Sequence, residues 1–253
     1  MNSRCPLSAV LITRNCVGSL APTLAALAFC DEIVVVDSDS DDGTRELALA
    51  HGARVLTHEW MGFGPQKRFA VSQACHDWVL CIDSDEVVSD ELRAAIEREL
   101  EAPQHAAYAF PRCNRFLGRY LRHGEGYPDL SLRLFDRRRA NWSDDAVHEK
   151  VVAPGEVGRL SGDLLHHSEE SLERYLEKQN RYTSLSVQRM LQRGDRATVG
   201  KLVLSPLVRF VKFYFFRRGF LDGMPGLIHI AIGCLTSFLK YAKLIEARRM
   251  TKP

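Results

Sequence analysis

Two continuous apolar runs place the strongest constraint on the fold of this 253-residue chain. They cover residues 32–36 and 78–82, and a short unbroken apolar run is typical of a strand that is buried on both faces. Segments with helical periodicity lie after each run, over 44–51, 65–74 and 91–100. This alternation of strands and helices predicts an α/β fold with a mostly parallel sheet flanked by helices. In such sheets, ligands bind beyond the carboxyl ends of the strands.

The pattern changes after residue 168, where the alternation has ended and long helical patterns begin. The first of these patterns covers 170–193. Ser205-Pro206 has the composition of a cap and first turn, and it predicts the start of another helix. We therefore expect a catalytic α/β domain over 1–168 and a helical, basic C-terminal region over 169–253.

The charge of the chain is unevenly distributed, although its formal net value is only +2. Residues 31–101 contain 17 acidic and 6 basic side chains, whereas residues 199–253 contain 10 basic and 2 acidic ones. The small total, and the lack of a recognition motif, argue against a protein that binds nucleic acid. The uneven distribution instead predicts two surfaces with different partners.

Cysteine usage and hydropathy indicate the compartment. The seven cysteines are irregularly spaced without a Cys-x-x-Cys pair, which argues against a disulfide framework or a zinc site and favours a reduced, cytoplasmic setting. No run reaches the roughly 20 apolar residues that a membrane-spanning helix needs. The nearest is the weakly polar segment 226–239, so we expect no spanning helix.

A cluster of carboxylates follows each of the two apolar runs. The first is Asp37-Ser-Asp39-Ser-Asp41-Asp42, and the second is Asp83-Ser-Asp85-Glu86. Carboxylates crowded at strand ends are unfavourable unless a cation binds them or water solvates them. A divalent metal that bridges a diphosphate would satisfy the second cluster. The first could accept hydrogen bonds from a base and ribose, and a solvated turn with a helix cap is the alternative interpretation.

Three common ligand-binding motifs do not fit the chain. An EF-hand calcium loop that starts at Asp37 needs glycine at its sixth position and glutamate at its twelfth, where this chain has Asp42 and Ala48. Gly62-Phe-Gly64 lacks the third glycine of a dinucleotide-binding fingerprint. Neither a phosphate-binding loop with Gly-Lys-Thr nor a Gly-x-Ser-x-Gly elbow is present.

The acidic clusters belong to a set of motifs that resembles family 2 glycosyltransferases of the GT-A fold. The set comprises Thr13-x-Asn15, the segment 33–44, and the segment 78–86, whose Asp83-Ser-Asp85 is similar to the Asp-x-Asp metal motif of that family. More narrowly, 62–68, 127–135 and 147–149 are similar to lipopolysaccharide core β-1,4-glucosyltransferases. The resemblance covers nearly the whole chain. It implies a GT-A sheet, the nucleotide-diphospho-sugar transferase fold, followed by a helical tail that associates with a membrane.

The resemblance implies a binding role for each matching polar side chain. Asp85 would bind Mg²⁺ or Mn²⁺ on the diphosphate of a UDP-sugar. The side chains that would contact the nucleotide sugar are Thr13, Asn15, Asp37, Asp39, Lys67, Arg68 and Asp83. Many family members have glutamate after the asparagine of the first motif, whereas this chain has Cys16, so one polar group on the nucleotide side is missing.

The reaction implied is an inverting sugar transfer, in which an acceptor hydroxyl attacks the anomeric carbon opposite the departing UDP. Such a step requires a carboxylate base near the hydroxyl and a cation near the leaving diphosphate. Glu149 is the predicted base, and Asp129 and Asp145 are alternatives. The alternative interpretation is that Glu149 has no catalytic role and forms a surface ion pair with Lys150.

The implied function is transfer of a hexose from a UDP-sugar to the heptose-containing inner core of lipopolysaccharide. The narrower resemblance, to the β-1,4-glucosyltransferases, implies that the hexose is glucose. Two alternatives remain. One is transfer to a polyprenyl phosphate, and the other is a non-catalytic role as a membrane-bound assembly factor that binds sugar nucleotides.

The basic tail carries a second pattern. Apolar and aromatic residues between Leu207 and Phe215 follow helical spacing, and four cations lie close to them between 209 and 218. This pattern is typical of helices that lie in the interface of an anionic membrane. Packing on the catalytic domain or on a partner subunit is the alternative. We therefore expect a peripheral protein on the cytoplasmic face of the inner membrane, with a lipid-linked saccharide as its acceptor.

Overall fold

The computed structural model describes residues 4–143, 149–167 and 171–250. The chain divides into two compact units. The first consists of Met1–Cys113 and Asp129–His167, and the second of Asn114–Pro128 and Ser168–Pro253. The second unit therefore combines a segment from the middle of the chain with the C-terminal region.

The helices and strands follow one another along the chain. The strands are β1 (Leu7–Thr13), β2 (Glu32–Asp37), β3 (Arg54–Thr57), β4 (Trp78–Cys81), β5 (Glu86–Val88), β6 (Ala107–Phe116), β7 (Arg119–Tyr120), β8 (Asp129–Asp136), β9 (Asn141–Trp142), β10 (Val151–Val152), β11 (Gly158–Arg159) and β12 (Leu164–His166). The α-helices are α1 (Val17–Ala26), α2 (Thr44–Ala50), α3 (Phe63–Ser72), α4 (Asp90–Glu99), α5 (Leu172–Gln192), α6 (Val199–Phe210) and α7 (Gly223–Met250). A π-helical turn, Val211–Phe216, and a 3-10 turn, Gly219–Asp222, connect α6 to α7.

The main sheet is mixed, with the strand order β3-β2-β1-β4-β8-β6-β12-β5. The first four strands run parallel to one another. In contrast, β8 is antiparallel to both β4 and β6, and β12 is antiparallel to β5. The predicted parallel pairing therefore holds for β1 to β4 and for the short pair of β11 with β6. The irregular middle segment that supplies β6 and β8 lacks the helical crossover that a parallel pair requires.

The two apolar runs are buried on both faces of the sheet, as predicted. In β2, Val35 packs into one hydrophobic cluster, while Val34 and Val36 pack into another on the opposite face. Helices α1 and α4 cover the first cluster with leucine and isoleucine side chains, and α3 covers the second through Ala70 and Val71. This arrangement leaves only the strand ends and the loops after them available for a ligand.

Helix α6 begins earlier than the sequence predicts. It starts at Val199, where the hydroxyl of Thr198 accepts a hydrogen bond from the amide of Lys201 at 3.2 Å. Pro206 lies inside the helix, and the Ser205 hydroxyl pairs with the Ser237 hydroxyl of α7 at 2.6 Å. The predicted start at Ser205-Pro206 is therefore wrong, because Thr198 provides an equally good cap two turns earlier.

One stretch has the length and composition of a membrane span, although no run of consecutive apolar residues reaches roughly 20. Within the described part of the chain, the helical stretch Gly219–Arg249 is long and apolar enough to cross a membrane by length and composition, and the mean hydropathy of its most apolar 18-residue window is 1.3. A count of consecutive apolar residues misses it because glycine, serine and threonine interrupt the run while lowering its mean hydropathy only slightly. Only 22% of its most apolar part is buried.

Glu32, the first residue of β2, ties the outer parallel strands together. Its carboxylate accepts hydrogen bonds from the Ser8 hydroxyl at 2.6 Å, the Cys75 amide at 2.7 Å and the Arg54 guanidinium at 2.8 Å. Burial alone would raise the pKa of Glu32, but these donors outweigh burial and lower the pKa to about 2. The ionised form therefore stabilises the fold.

We expect Glu32→Gln to lower the free energy of unfolding by about 2 kcal/mol at pH 7. Because the pKa of Glu32 is depressed on folding, its contribution is present above the ordinary value of 4.5 and is lost as the pH falls towards about 2. Urea unfolding at pH 7, 5 and 3.5 should show a difference from wild type that shrinks with acidity. Glu46→Gln, in an exposed carboxylate of α2, is the matched control. A difference for Glu32→Gln that stays constant over this pH range would contradict the prediction.

Candidate active site

Lys67 brings two distant carboxylates together at the carboxyl end of β4. Its ammonium nitrogen, on α3, lies 3.1 Å from Asp83 Oδ1 and 3.2 Å from Glu149 Oε1. Asp83 lies two residues after the end of β4, whereas Glu149 lies just before β10. Glu149 is thus half-buried against Lys67, and the predicted surface pair with Lys150 does not describe its contact.

Arg133, on β8, is the buried cation behind this pair. Its Nη2 atom lies 2.7 Å from Asp83 Oδ2 and 3.3 Å from Glu86 Oε1, and Arg112 Nη1 lies 3.5 Å from the same Glu86 oxygen. Burial alone would raise the pKa of Asp83, but Arg133 and Lys67 hold it well below its ordinary value. Burial does raise the pKa of Glu86, against the attraction of Arg133. The two carboxylates therefore differ in acidity although both contact one guanidinium.

An open cleft of about 430 Å³ lies beside these charges. It is lined by Lys67, Asp83, Arg112, Leu130, Ser131, Leu132, Arg133, Trp142, Glu149, Lys150 and Val151. The Trp142 ring forms its aromatic wall, with Lys67 Nζ 4.5 Å and Arg133 Cζ 5.4 Å from the ring centroid. Four cations and two carboxylates in one cleft suit a ligand with anionic groups that must also release or accept a proton.

Asp85 lies next to a histidine that the motifs did not identify. Its Oδ2 atom is 3.2 Å from His166 Nε2, and its carbonyl oxygen accepts a hydrogen bond from the His167 amide at 2.8 Å. The antiparallel pairing of β12 with β5 sets this contact, because His166 lies opposite Glu86. The only signal in the sequence is a pair of adjacent histidines that ends a short apolar run at 164–167.

Asp85 and His166 could hold a metal ion jointly with a substrate. A carboxylate oxygen and an imidazole nitrogen are suitable ligands for Mn²⁺, and Mg²⁺ is commonly held by one or two carboxylates together with substrate phosphates. Across residues 4–143, 149–167 and 171–250, no group of three or more His, Cys, Asp or Glu side chains could hold an ion by itself. The residues present therefore fit a metal that a diphosphate and water help to coordinate, and they do not fit a closed structural site.

The first acidic cluster mainly orders its own loop. Asp37 is buried, and its carboxylate accepts hydrogen bonds from the Thr13 hydroxyl at 2.8 Å and from the amide and hydroxyl of Ser40 at 2.8 and 2.5 Å. Asp42 accepts hydrogen bonds from the amide and hydroxyl of Thr44, the first residue of α2. Asp37 and Thr13 thus hold each other beneath the loop, and Asp42 fastens the loop to Thr44, whereas the N-cap position of α2 is Gly43.

Asn15 and Asp39 lie in the two loops that follow β1 and β2. Because these strands are parallel, with Thr13 opposite Asp37, both loops meet at one edge of the sheet. Both residues are exposed and have left-handed backbones, with φ of 47° and 56°. The Asn15 side chain accepts a hydrogen bond from the amide of Asp41 at 3.0 Å. The two loops therefore form one continuous polar edge, where the motifs predict the nucleotide.

The remaining predicted residues have separate positions. Arg68 follows Lys67 on α3 and is half-buried. Asp129 is exposed at the first position of β8, opposite Arg112 of β6. Asp145 lies outside the described residues. The roles that the motifs assign to these side chains stay predictions.

We expect Arg133→Met to lower the free energy of unfolding by about 3 kcal/mol, because the change leaves Glu86 buried without its closest cation. Adding Glu86→Gln to this variant should recover part of the loss, since a neutral amide is easier to bury than a carboxylate. Urea unfolding of the two single variants and the double variant at pH 7 gives the coupling free energy. Additive effects of the two changes would mean that the ion pair contributes nothing.

Comparison with known proteins places the chain in a family. Residues 8–152 match the family model described as Glycosyl transferase family 2. The lipopolysaccharide core biosynthesis glycosyltransferase LpsC of Rhizobium meliloti is 30% identical over 267 aligned residues, which cover 97% of this chain and 94% of that protein. An uncharacterized glycosyltransferase of Rickettsia typhi is 29% identical, and the alignment covers 95% of this chain and 87% of that protein. The crystal structure of S. aureus TarS 1-349 superposes with a TM-score of 0.49 at 15% identity, covering 98% of this chain and 92% of that chain.

The family match confirms the family that the motifs predicted. It extends over more than half of the chain and includes β1, both acidic clusters and Glu149. The protein is therefore a glycosyltransferase, a member of glycosyl transferase family 2, with the GT-A fold that the resemblance implied.

Proposed function

We propose that the protein transfers a hexose from a UDP-sugar to the heptose-containing inner core of lipopolysaccharide, with inversion at the anomeric carbon. The hexose that we propose is glucose. Family membership supports sugar transfer, and the name of LpsC supports a lipopolysaccharide core acceptor. The observation that carries the proposal is the contact of Lys67 with both Asp83 and Glu149. A candidate base and a donor-side carboxylate thereby share one cleft.

The donor would bind along the polar edge formed by the loops after β1, β2 and β4. Asn15 and Asp39 are exposed at that edge, and Asp37 would act there by holding Thr13 in place. Lys67 and Arg68 would contact the diphosphate. Asp85 and His166 would hold Mg²⁺ or Mn²⁺, which, when bound, stabilises the negative charge that develops on the leaving diphosphate.

Glu149 would remove the proton from the attacking acceptor hydroxyl. Its carboxylate is half-buried in the cleft wall, and Lys67 fixes its position from one side. A general base must lie within hydrogen-bond reach of the proton that it abstracts, so a fixed carboxylate in the cleft is better suited than an exposed one. Asp129 is exposed, which makes it the weaker candidate among the described residues.

A lipid-linked acceptor would place the reaction at a membrane. We propose that the protein is peripheral on the cytoplasmic face of the inner membrane, where the acceptor and a cytoplasmic UDP-sugar are both available. The 10 basic residues within 199–253 and the exposed apolar side chains of α6 support association with an anionic surface.

Asp85 is expected to make UDP binding depend on a divalent metal. Isothermal titration of UDP into the full chain should show binding that requires Mn²⁺ and that is lost in Asp85→Ala, because phosphate and protein share the ion. His166→Ala should weaken the binding, and Glu91→Ala, in an exposed acid of α4, should leave it unchanged. Equal binding with and without Mn²⁺ in wild type would contradict the metal site.

Glu149→Gln is expected to lower kcat by about 10³-fold, because a general base typically contributes 10²- to 10⁴-fold to the rate. Transfer from UDP-[¹⁴C]glucose to heptose-terminated lipopolysaccharide measures it, and titration should show that UDP binding is retained. Asp129→Asn is the matched control and should keep most of the activity. Loss of activity in Asp129→Asn but not in Glu149→Gln would mean that Asp129, and not Glu149, is the base.

The same assay tests the acceptor. Polyprenyl phosphate replaces the lipopolysaccharide in a parallel reaction, and a hydrolysis blank contains neither. Transfer to the heptose-terminated acceptor alone supports the proposal. Transfer to polyprenyl phosphate alone, or UDP-glucose binding without transfer to either, would overturn it in favour of one of the two alternatives.

A further inference from the structure

An exposed apolar surface runs along α6 and into the turn after it. We name it the docking face and define it as Val199, Val203, Leu204, Leu207, Val208, Val211, Phe215 and Phe216, which are 44 to 81% exposed. Val199, Val203, Leu207 and Val211 lie four residues apart, and Leu204 and Val208 lie beside them, so these members share one side of the helix. Helix α6 itself contains no buried residue. Contiguous apolar patches of this kind mark interaction surfaces in soluble proteins.

The charges around the docking face have one sign. No Asp or Glu occurs between residues 199 and 221, whereas Lys201, Lys212, Arg217 and Arg218 are all exposed. A second copy of the chain would bring the same positive charge to the contact, which argues against self-association. Apolar and aromatic side chains whose own segment carries only cations are complementary to the acyl boundary and phosphate groups of an anionic bilayer.

Helix α7 is packed within the second unit in a way that does not suit a span. Arg209 Nε donates to Glu125 Oε2 at 3.0 Å, and this ion pair lies against the backbone of α7 at Gly233. A Cβ atom at Gly233 would collide with the Glu125 carboxylate and approach Arg209 Nε to 3.0 Å. If α7 crossed a bilayer, the pair would lie near its midplane, where ionised side chains are costly.

The far end of α7 is also fixed by polar contacts. Lys243 Nζ donates to Asn180 Oδ1 at 2.7 Å, and to the hydroxyls of Thr183 and Ser184 at 2.8 Å, all on α5. Leu244 is fully buried. Lipid insertion of α7 would have to break this cluster, whereas the side chains of the docking face are already exposed.

We propose that the second unit docks on the surface of an anionic phospholipid bilayer through the docking face, with α7 held by its contacts to Arg209, Glu125 and α5. Phe215 and Phe216 enter the acyl boundary, and Lys201 and Lys212 contact lipid phosphates. The proposal extends the membrane location given under the proposed function, and it does not depend on the sugar or the acceptor.

Co-sedimentation of the full chain with phosphatidylcholine vesicles, with and without phosphatidylglycerol, tests the docking face. We expect binding to the anionic vesicles that weakens with salt. The double variant Phe215→Ser/Phe216→Ser should bind at least about tenfold more weakly, since two large apolar side chains no longer leave water. Lys212→Gln should bind about fivefold more weakly. Leu49→Ser, at a position that is 59% exposed on α2 of the first unit, is the matched control.

Several outcomes would overturn the proposal. The first is equal binding of wild type to both vesicle types. The second is unchanged binding of the double variant, provided that it unfolds at the same temperature as wild type. The third is retention of wild type on vesicles after an alkaline carbonate wash, which indicates a span. A wild-type dimer that the double variant makes monomeric would identify an interface between copies. Transfer to a delipidated core oligosaccharide should be unchanged in the double variant. If wild type does not transfer sugar to this oligosaccharide, the result counts against the proposed function and leaves the vesicle result intact.

Discussion

The buried guanidinium of Arg133 is the interaction on which the acidic end of the sheet depends. Asp83 and Glu86 follow β4 within a few residues, and one of them is fully buried. Without a nearby cation, such carboxylates would cost several kcal/mol to bury in the folded state. Arg133 reaches them because β8 runs antiparallel to β4, with Leu134 opposite Leu80. The antiparallel half of the sheet is therefore what allows carboxylates to gather at the end of its parallel half.

The same cluster separates structural from reactive carboxylates. Glu86 is fully buried between Arg133 and Arg112, where a substrate does not reach it. The Asp85 side chain is 36% exposed and faces a histidine. Asp83 lies between these extremes and directs one oxygen to Arg133 and the other to Lys67. Three acids in one short motif thus have different environments, because the chain turns between β4 and β5, with the Glu86 amide bonded to the Asp83 carbonyl.

Local patterns predicted the parts of the protein that local physics determines. The apolar runs gave β2 and β4 because a strand buried on both faces leaves no polar position, and the motif identified Asp83 and Asp85. The contacts of Arg133 and His166 arise from pairing between strands that are distant in the chain, and no spacing rule contains that register. The start of α6 was wrong for another reason, since Thr198 and Ser205 both satisfy the rule for a cap. Tertiary packing on α7, through Ser205 and Ser237, selects between them.

The second unit shows why length and composition do not decide how an apolar helix is used. By those two measures, Gly219–Arg249 could cross a membrane. Glu125 comes from a segment far from this helix in sequence, yet with Arg209 it forms an ion pair on the helix at Gly233. Glycine at that position lets the pair approach the helix backbone, and the approach gives an otherwise apolar helix a charged side. This long-range contact therefore argues against a span by α7, and the exposed face of α6 is the surface that we propose for membrane contact.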